Sequence, residues 1–155
     1  MAVKIADSIM KEIVVRGPIE KVYDAVTQPE QFVKWWPDCK IAKGSLKPGE
    51  VSIIDFGSCG GMCALFVVEA RPHTYFAYRW VLGPANPQIG EDDPRKHTNT
   101  LVEYHFESVG KDTRVRVVES GFASLPPEQL ARCADHINEG WPIIIGMLAS
   151  YFEKK

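Results

Sequence analysis

The chain has 155 residues, 45% of them apolar and 25% charged, with a formal net charge of −2. That length suits one domain with one substantial core, and the composition sits near the soluble globular average, which argues against long disorder. No polybasic run marks a nucleic-acid or anionic-membrane surface, and no apolar run nears the roughly 20 residues of a bilayer span, so neither nucleic acid nor membrane insertion is expected.

Lys11 and Glu12 come too early for a secretory segment, which implies a cytoplasmic location. In a reducing compartment Cys39, Cys59, Cys63 and Cys133 are expected as free thiols. Ile9 to Val15 reads as a strand, stopped by Gly17-Pro18. Ile19, Val22, Tyr23 and Val26 recur at helical spacing and mark one face of a short helix. Glu30 to Lys34 forms a second helical turn, and Pro37 pushes Trp36 out of helical geometry. Lys47-Pro48-Gly49 is a turn before a strand from Val51 to Phe56. Gly57 to Gly61 is a turn, Met62 to Ala70 a strand, and Thr74 to Val81 a strand rich in aromatic residues. Gly83 to Thr98 is a long polar connection of the kind that often carries function. Asn99 to Ser108 and Thr113 to Ser120 form a hairpin. Leu130, Ala134, Ile137, Trp141, Ile144, Leu148 and Phe152 line one face of a long C-terminal helix, with a kink or restart expected near Gly140 and Pro142.

Consecutive strands with short connections favour an antiparallel meander. Alternation then sorts the side chains. Phe76, Tyr78 and Trp80 share a face, as do Val102, Tyr104 and Phe106, while Glu103, His105 and Glu107 face water. Val115, Val117 and Glu119 lie opposite Arg114 and Arg116, which are expected in cross-strand charge pairs. Ala64, Phe66 and Val68 are set inward because Glu69 is set outward, and Asp55 would point inward if Val51, Ile53 and Asp55 form the inner face of the preceding strand.

Four stretches resemble a known family. Ile13-Val14-Val15-Arg16-Gly17-Pro18-Ile19-Glu20-Lys21-Val22-Tyr23-Asp24-Ala25-Val26-Thr27 is similar to the opening strand and helix of START-like (SRPBCC) domains. Phe32-Val33-Lys34-Trp35-Trp36-Pro37 resembles the tryptophan signature of one branch, that of the C-terminal domain of the heat-shock-protein-90 ATPase activator and of the calicheamicin-resistance protein. Thr113 to Phe122 resembles its last strand, and Asn138-Glu139-Gly140-Trp141 the start of its final helical stretch. The resemblance implies an α+β helix-grip fold over residues 1–155, a curved antiparallel sheet around a long C-terminal helix. Members bind lipids, hormones and polyketides, act as cyclases, or dock on chaperones, so fold alone does not choose among these roles.

The expected function is binding of a hydrophobic small molecule (lipid-, aromatic- or polyketide-like) between the sheet and the C-terminal helix. Trp36, Phe66, Tyr78, Trp80, Tyr104, Trp141 and Ile145 are the expected lining, because buried phenol and indole tips need partners that a polar-tagged ligand supplies. The alternative is an enzyme of cyclase or hydrolase type. Its one candidate catalytic residue is Glu119, an inward acid whose pKa desolvation would raise, with Asp55 as a companion. Cys59 and Cys63 lie too few and too far from further ligands for a zinc site, so no metal and no cofactor is expected. His73, His97, His105 and His136 show no ligand spacing, and only His97, in the long loop, stands where an entrance could be gated. A homodimer is compatible with a domain of this size. A chaperone contact ranks behind small-molecule binding, because the resemblance covers only the activator's C-terminal domain.

Overall fold

The structure is a computed structural model and describes residues 8–36, 39–55, 62–81, 99–122 and 127–153, with the side chains of the last helix described from Gly140 onward. The Gly57–Gly61 turn with Cys59, and the Gly83–Thr98 connection with His97, lie outside the described residues. So do the side chains of Leu130, Cys133, Ala134, His136, Ile137, Asn138 and Glu139.

In chain order the elements are β1 (Ser8–Val15), α1 (Ile19–Thr27), α2 (Pro29–Trp35), β2 (Lys40–Lys43), β3 (Val51–Asp55), β4 (Met62–Arg71), β5 (Tyr75–Val81), β6 (Thr100–Val109), β7 (Asp112–Ser120) and α3 (Pro127–Glu153). The seven strands form one sheet in the order β1-β7-β6-β5-β4-β3-β2, every pair antiparallel. The helix pair α1–α2 carries the chain from one edge of the sheet to the other. This is the helix-grip architecture, a curved sheet closed by its C-terminal helix.

The α1–α2 junction shows how sequence sets the local path. In an α-helix the carbonyl of Ala25 would accept the N–H of residue 29, but that residue is proline and has none. The Trp35 indole supplies the donor instead, its Nε1 bonding the Ala25 carbonyl at 2.8 Å inside the core. Pro29 opens α2, where a missing N–H costs nothing. Trp36 then takes extended geometry (φ −101°, ψ 104°) and ends the helix as the following proline requires.

Strand β2 was absent from the sequence reading. Lys40–Lys43 is a four-residue edge strand with a register shift between Ile41 and Lys43, too short and too polar to show a pattern. The β6–β7 hairpin is as expected, tightened to a two-residue loop in which Gly110 takes φ 62°. The expected helix restart does not occur. α3 runs unbroken over 27 residues with Pro142 inside it. Proline removes one hydrogen bond there, and the buried contacts of Trp141 and Ile145 on either side hold the path.

The main core lies between the concave face of the sheet and the three helices. It contains Val22 and Val26 of α1, Phe32 and Trp35 of α2, Leu65, Phe76, Tyr104 and Val117 of the sheet, and Trp141, Leu148 and Phe152 of α3. A second, small cluster of Ile53 and Ala64, joined by Val51 and Phe66, occupies the other face of β3–β4.

Candidate functional site

The inner face of β5, β6 and β7 is laid out in rows by strand register. Tyr78, Val102 and Glu119 form one row, Phe76, Tyr104 and Val117 the next, and Trp80 and Thr100 a third. The face of α3 that carries Trp141, Ile145 and Leu148 closes over them. Trp141 lies edge-on to Tyr104 and to Trp80, with ring centroids 6.1 Å apart in each case. On the α2 side Trp36 meets Trp80 edge-on at 6.5 Å. These offsets are the arrangements aromatic quadrupoles favour.

Polar groups converge within this apolar patch. The Trp141 indole Nε1 donates to Glu119 Oε1 at 2.7 Å, which ties the helix to the sheet. Thr100 Oγ1 lies 2.5 Å from Glu119 Oε2. The Tyr78 and Tyr104 hydroxyls bond each other at 3.2 Å. Glu119, Thr100 and Tyr104 have no solvent exposure, and Tyr78 only 2%.

Electrostatics follow from that burial. Desolvation raises the Glu119 carboxyl above its ordinary range, with the hydrogen bonds from Thr100 and Trp141 opposing in part. A protonated Glu119 would reverse the short contact and donate to the Thr100 hydroxyl. Burial drives the Tyr78 phenol well above its usual value, and the neighbouring Tyr104 adds to the rise. Tyr104 is raised for the same leading reason. Both phenols therefore stay protonated donors across any working pH.

Of the expected lining residues, Trp36, Tyr78, Trp80, Tyr104, Trp141 and Ile145 all lie in or against the main core. Phe66 does not. It belongs to the small cluster on the opposite face, and Val68, expected beside it, is 52% exposed. The cause is a register shift between Val67 and Glu69, which leaves Val68 as the extra residue of a bulge. One extra residue inverts the alternation, so Cys63, Leu65 and Val67 face the core instead. Because Val51 pairs with Phe66 and Ile53 with Ala64, the same inversion carries into β3. Ile54 joins the main core there, and Asp55 is not on the face of Glu119; its charge instead helps raise the Cys39 thiol, which burial pushes up to about 12. Thr100, missed in the sequence, was legible there as the next inward position before Val102.

On the outer face the charge pairs follow register, with Arg114 bonded to Glu107 at 2.5 Å and Arg116 3.5 Å from Glu12. Being exposed, each is worth at most about 1 kcal/mol. A surface groove of about 400 Å³ lies between α1, α2 and the end of α3, but Lys21, Asp24, Glu30 and Lys34 line it with both signs of charge and give no single recognition sign. Among the described residues no helix is long and apolar enough to cross a membrane.

No curated protein matches the chain. Solved structures with the same fold include DynU16, from the dynemicin biosynthetic locus, at 21% identity and a TM-score of 0.72 over 96% of this chain and 48% of that one. The chain thus spans about half the length of DynU16. The Aha1 dimer from Colwellia psychrerythraea is 21% identical, with a TM-score of 0.70 over 94% of this chain and 96% of that one. CalU16 from Micromonospora echinospora is 16% identical, with a TM-score of 0.65 over 94% of this chain and 75% of that one. At these identities the likeness is one of fold. The family model described as Activator of Hsp90 ATPase homolog 1-like protein matches residues 16–153, and the chain belongs to that family.

Proposed function

We propose that the chain binds an apolar small molecule, lipid-, aromatic- or polyketide-like, in the interior between the concave sheet face and α3. The observation that carries this reading is the convergence of a carboxyl, two phenols, a hydroxyl and an indole N–H in one fully buried patch. A core built only for stability gains little from such groups, because each loses hydration on burial and the hydrogen bonds mostly offset that loss. A ligand with an apolar body and a polar tag uses both parts of the patch. Trp36, Tyr78, Trp80, Tyr104, Trp141 and Ile145 are the residues assigned to it.

Native mass spectrometry of protein purified without denaturation tests the reading. The expected result is a bound mass that denaturation releases. An apo mass together with a flat thermal-shift response to apolar compounds would overturn it.

A second reading is favoured by the raised pKa of Glu119. A carboxyl whose pKa is raised by desolvation keeps its proton to higher pH, so it is better placed to act as a general acid and its conjugate base as a general base. On this reading Glu119→Gln removes turnover of a bound compound and leaves its affinity in place; equal loss of both would assign Glu119 to binding alone.

A further inference from the structure

Hydrogen-bond counting at the Tyr78–Tyr104 pair leaves one proton over. Two phenols carry two O–H donors, and their mutual bond consumes one of them. Among the described residues no second acceptor takes the other, and bulk water does not reach it. An unused buried donor is costly, so among the described residues the pair is left able to donate to one further acceptor.

The surroundings define that acceptor. Phe76 packs 5.9 Å from the Tyr78 ring and 6.4 Å from that of Tyr104, with Trp141 edge-on beyond. The partner's body must therefore be apolar, and rings suit these walls. No Lys, Arg or His is buried among the described residues, whereas Glu119 is, so an anionic group would find no counter-charge and a carboxyl nearby. A hydroxyl acceptor would bring a proton of its own to be satisfied. A carbonyl oxygen accepts without donating.

We infer that the hydroxyl pair of Tyr78 and Tyr104 is the polar anchor of the interior site and takes the neutral carbonyl oxygen of a ring-bearing ketone or quinone. This rests on the binding reading above and names its ligand class. Burial keeps both phenols protonated, which maintains the donor.

Matched compounds that differ only at the carbonyl test the anchor. Titration calorimetry would use acetophenone with ethylbenzene, acetylnaphthalene with ethylnaphthalene, and acetylanthracene with ethylanthracene, with naphthoate as the anion. At least one ketone is expected to bind about tenfold tighter than its alkyl partner, and naphthoate to bind weakest of the naphthalenes. In Tyr78→Phe/Tyr104→Phe, which keeps both rings, the ketone should lose its advantage and bind no tighter than its alkyl partner in the same variant. Thermal unfolding of the variant verifies the fold, and the single Phe variants serve in its place if it is not folded. Equal binding of ketone and alkyl partners by the native chain would overturn the anchor and leave interior binding standing. Failure of all the compounds to bind would overturn both.

Discussion

Glu119 is a carboxyl placed where a charge is poorly tolerated, and the linkage between its titration and folding can be worked out in sign. Its folded pKa lies above the ordinary 4.5 because desolvation outweighs the donors Thr100 and Trp141. Below the ordinary value both folded and unfolded states hold the proton, and the ionisation of Glu119 costs the fold nothing. Between the ordinary and the folded pKa the unfolded chain has lost a proton that the folded one retains, so stability falls as pH rises through that window. Each unit of displacement corresponds to about 1.4 kcal/mol. Glu119→Gln keeps an oxygen for the Trp141 indole and offers an amide to Thr100, but cannot ionise. Urea midpoints measured across pH for both proteins should therefore diverge, with the native chain falling behind the Gln variant as pH rises. Parallel curves would mean that the carboxyl is better solvated than its burial indicates. At the same scale, Trp141→Ala removes a ring that is 2% exposed and strands one Glu119 oxygen, for an expected cost of about 3–5 kcal/mol by urea unfolding.

The helix pair depends on one side chain to repair its backbone. Ala25 is fully buried, and the Trp35 indole takes the place of the N–H that Pro29 lacks. Trp35→Phe leaves that carbonyl unpaired and should cost about 1–3 kcal/mol beyond the loss of ring volume, read as a lower urea midpoint with unchanged slope. A second junction brings β1, β7 and α3 together. A Cβ on Gly17 would lie 2.7 Å from the Phe152 ring, and the Gly17 carbonyl accepts a bond from Thr113. Gly17→Ala should cost about 1–3 kcal/mol, because the ring at the end of α3 must move while the backbone beside it stays bonded. Elements of this kind were legible in the sequence where pattern and punctuation agree, as in α1, the β6–β7 hairpin and the inward row of Tyr104 and Val117. They were illegible where a backbone irregularity intervenes. β4 reads as a nearly continuous apolar run, so Glu69 alone set its phase, and the bulge at Val68 made that phase wrong for Phe66 and, through strand pairing, for Asp55. Nothing in side-chain chemistry announces a bulge whose extra residue is valine. Thr100 escaped for another reason: a threonine is neither apolar nor ionisable, and its value appears only when register sets Glu119 beside it on the neighbouring strand.

At the scale of the whole molecule the question is whether the interior opens as one unit or through a part of it. The main core joins α1, α2, α3 and the sheet in one contact cluster that includes Cys39, just after α2, and Cys63 on β4. Both thiols are buried, and Cys39 is pushed up to about 12, so neither offers a reactive thiolate while the fold is intact. Alkylation mapped by peptide to these two positions thus reports opening of two different elements, the segment after α2 and β4, where they meet in the same part of the core. If the core is cooperative, Cys39 and Cys63 should become reactive at the same urea concentration, and that concentration should match the loss of tryptophan fluorescence. A ligand held in the interior should move both transitions upward together, by an amount set by its concentration relative to its dissociation constant. Labelling of Cys39 well below the global transition, with Cys63 still protected, would show that the segment following α2 opens alone. The route into the interior would then pass beside Trp36, and a ligand would slow Cys39 labelling without needing to stabilise the rest of the sheet.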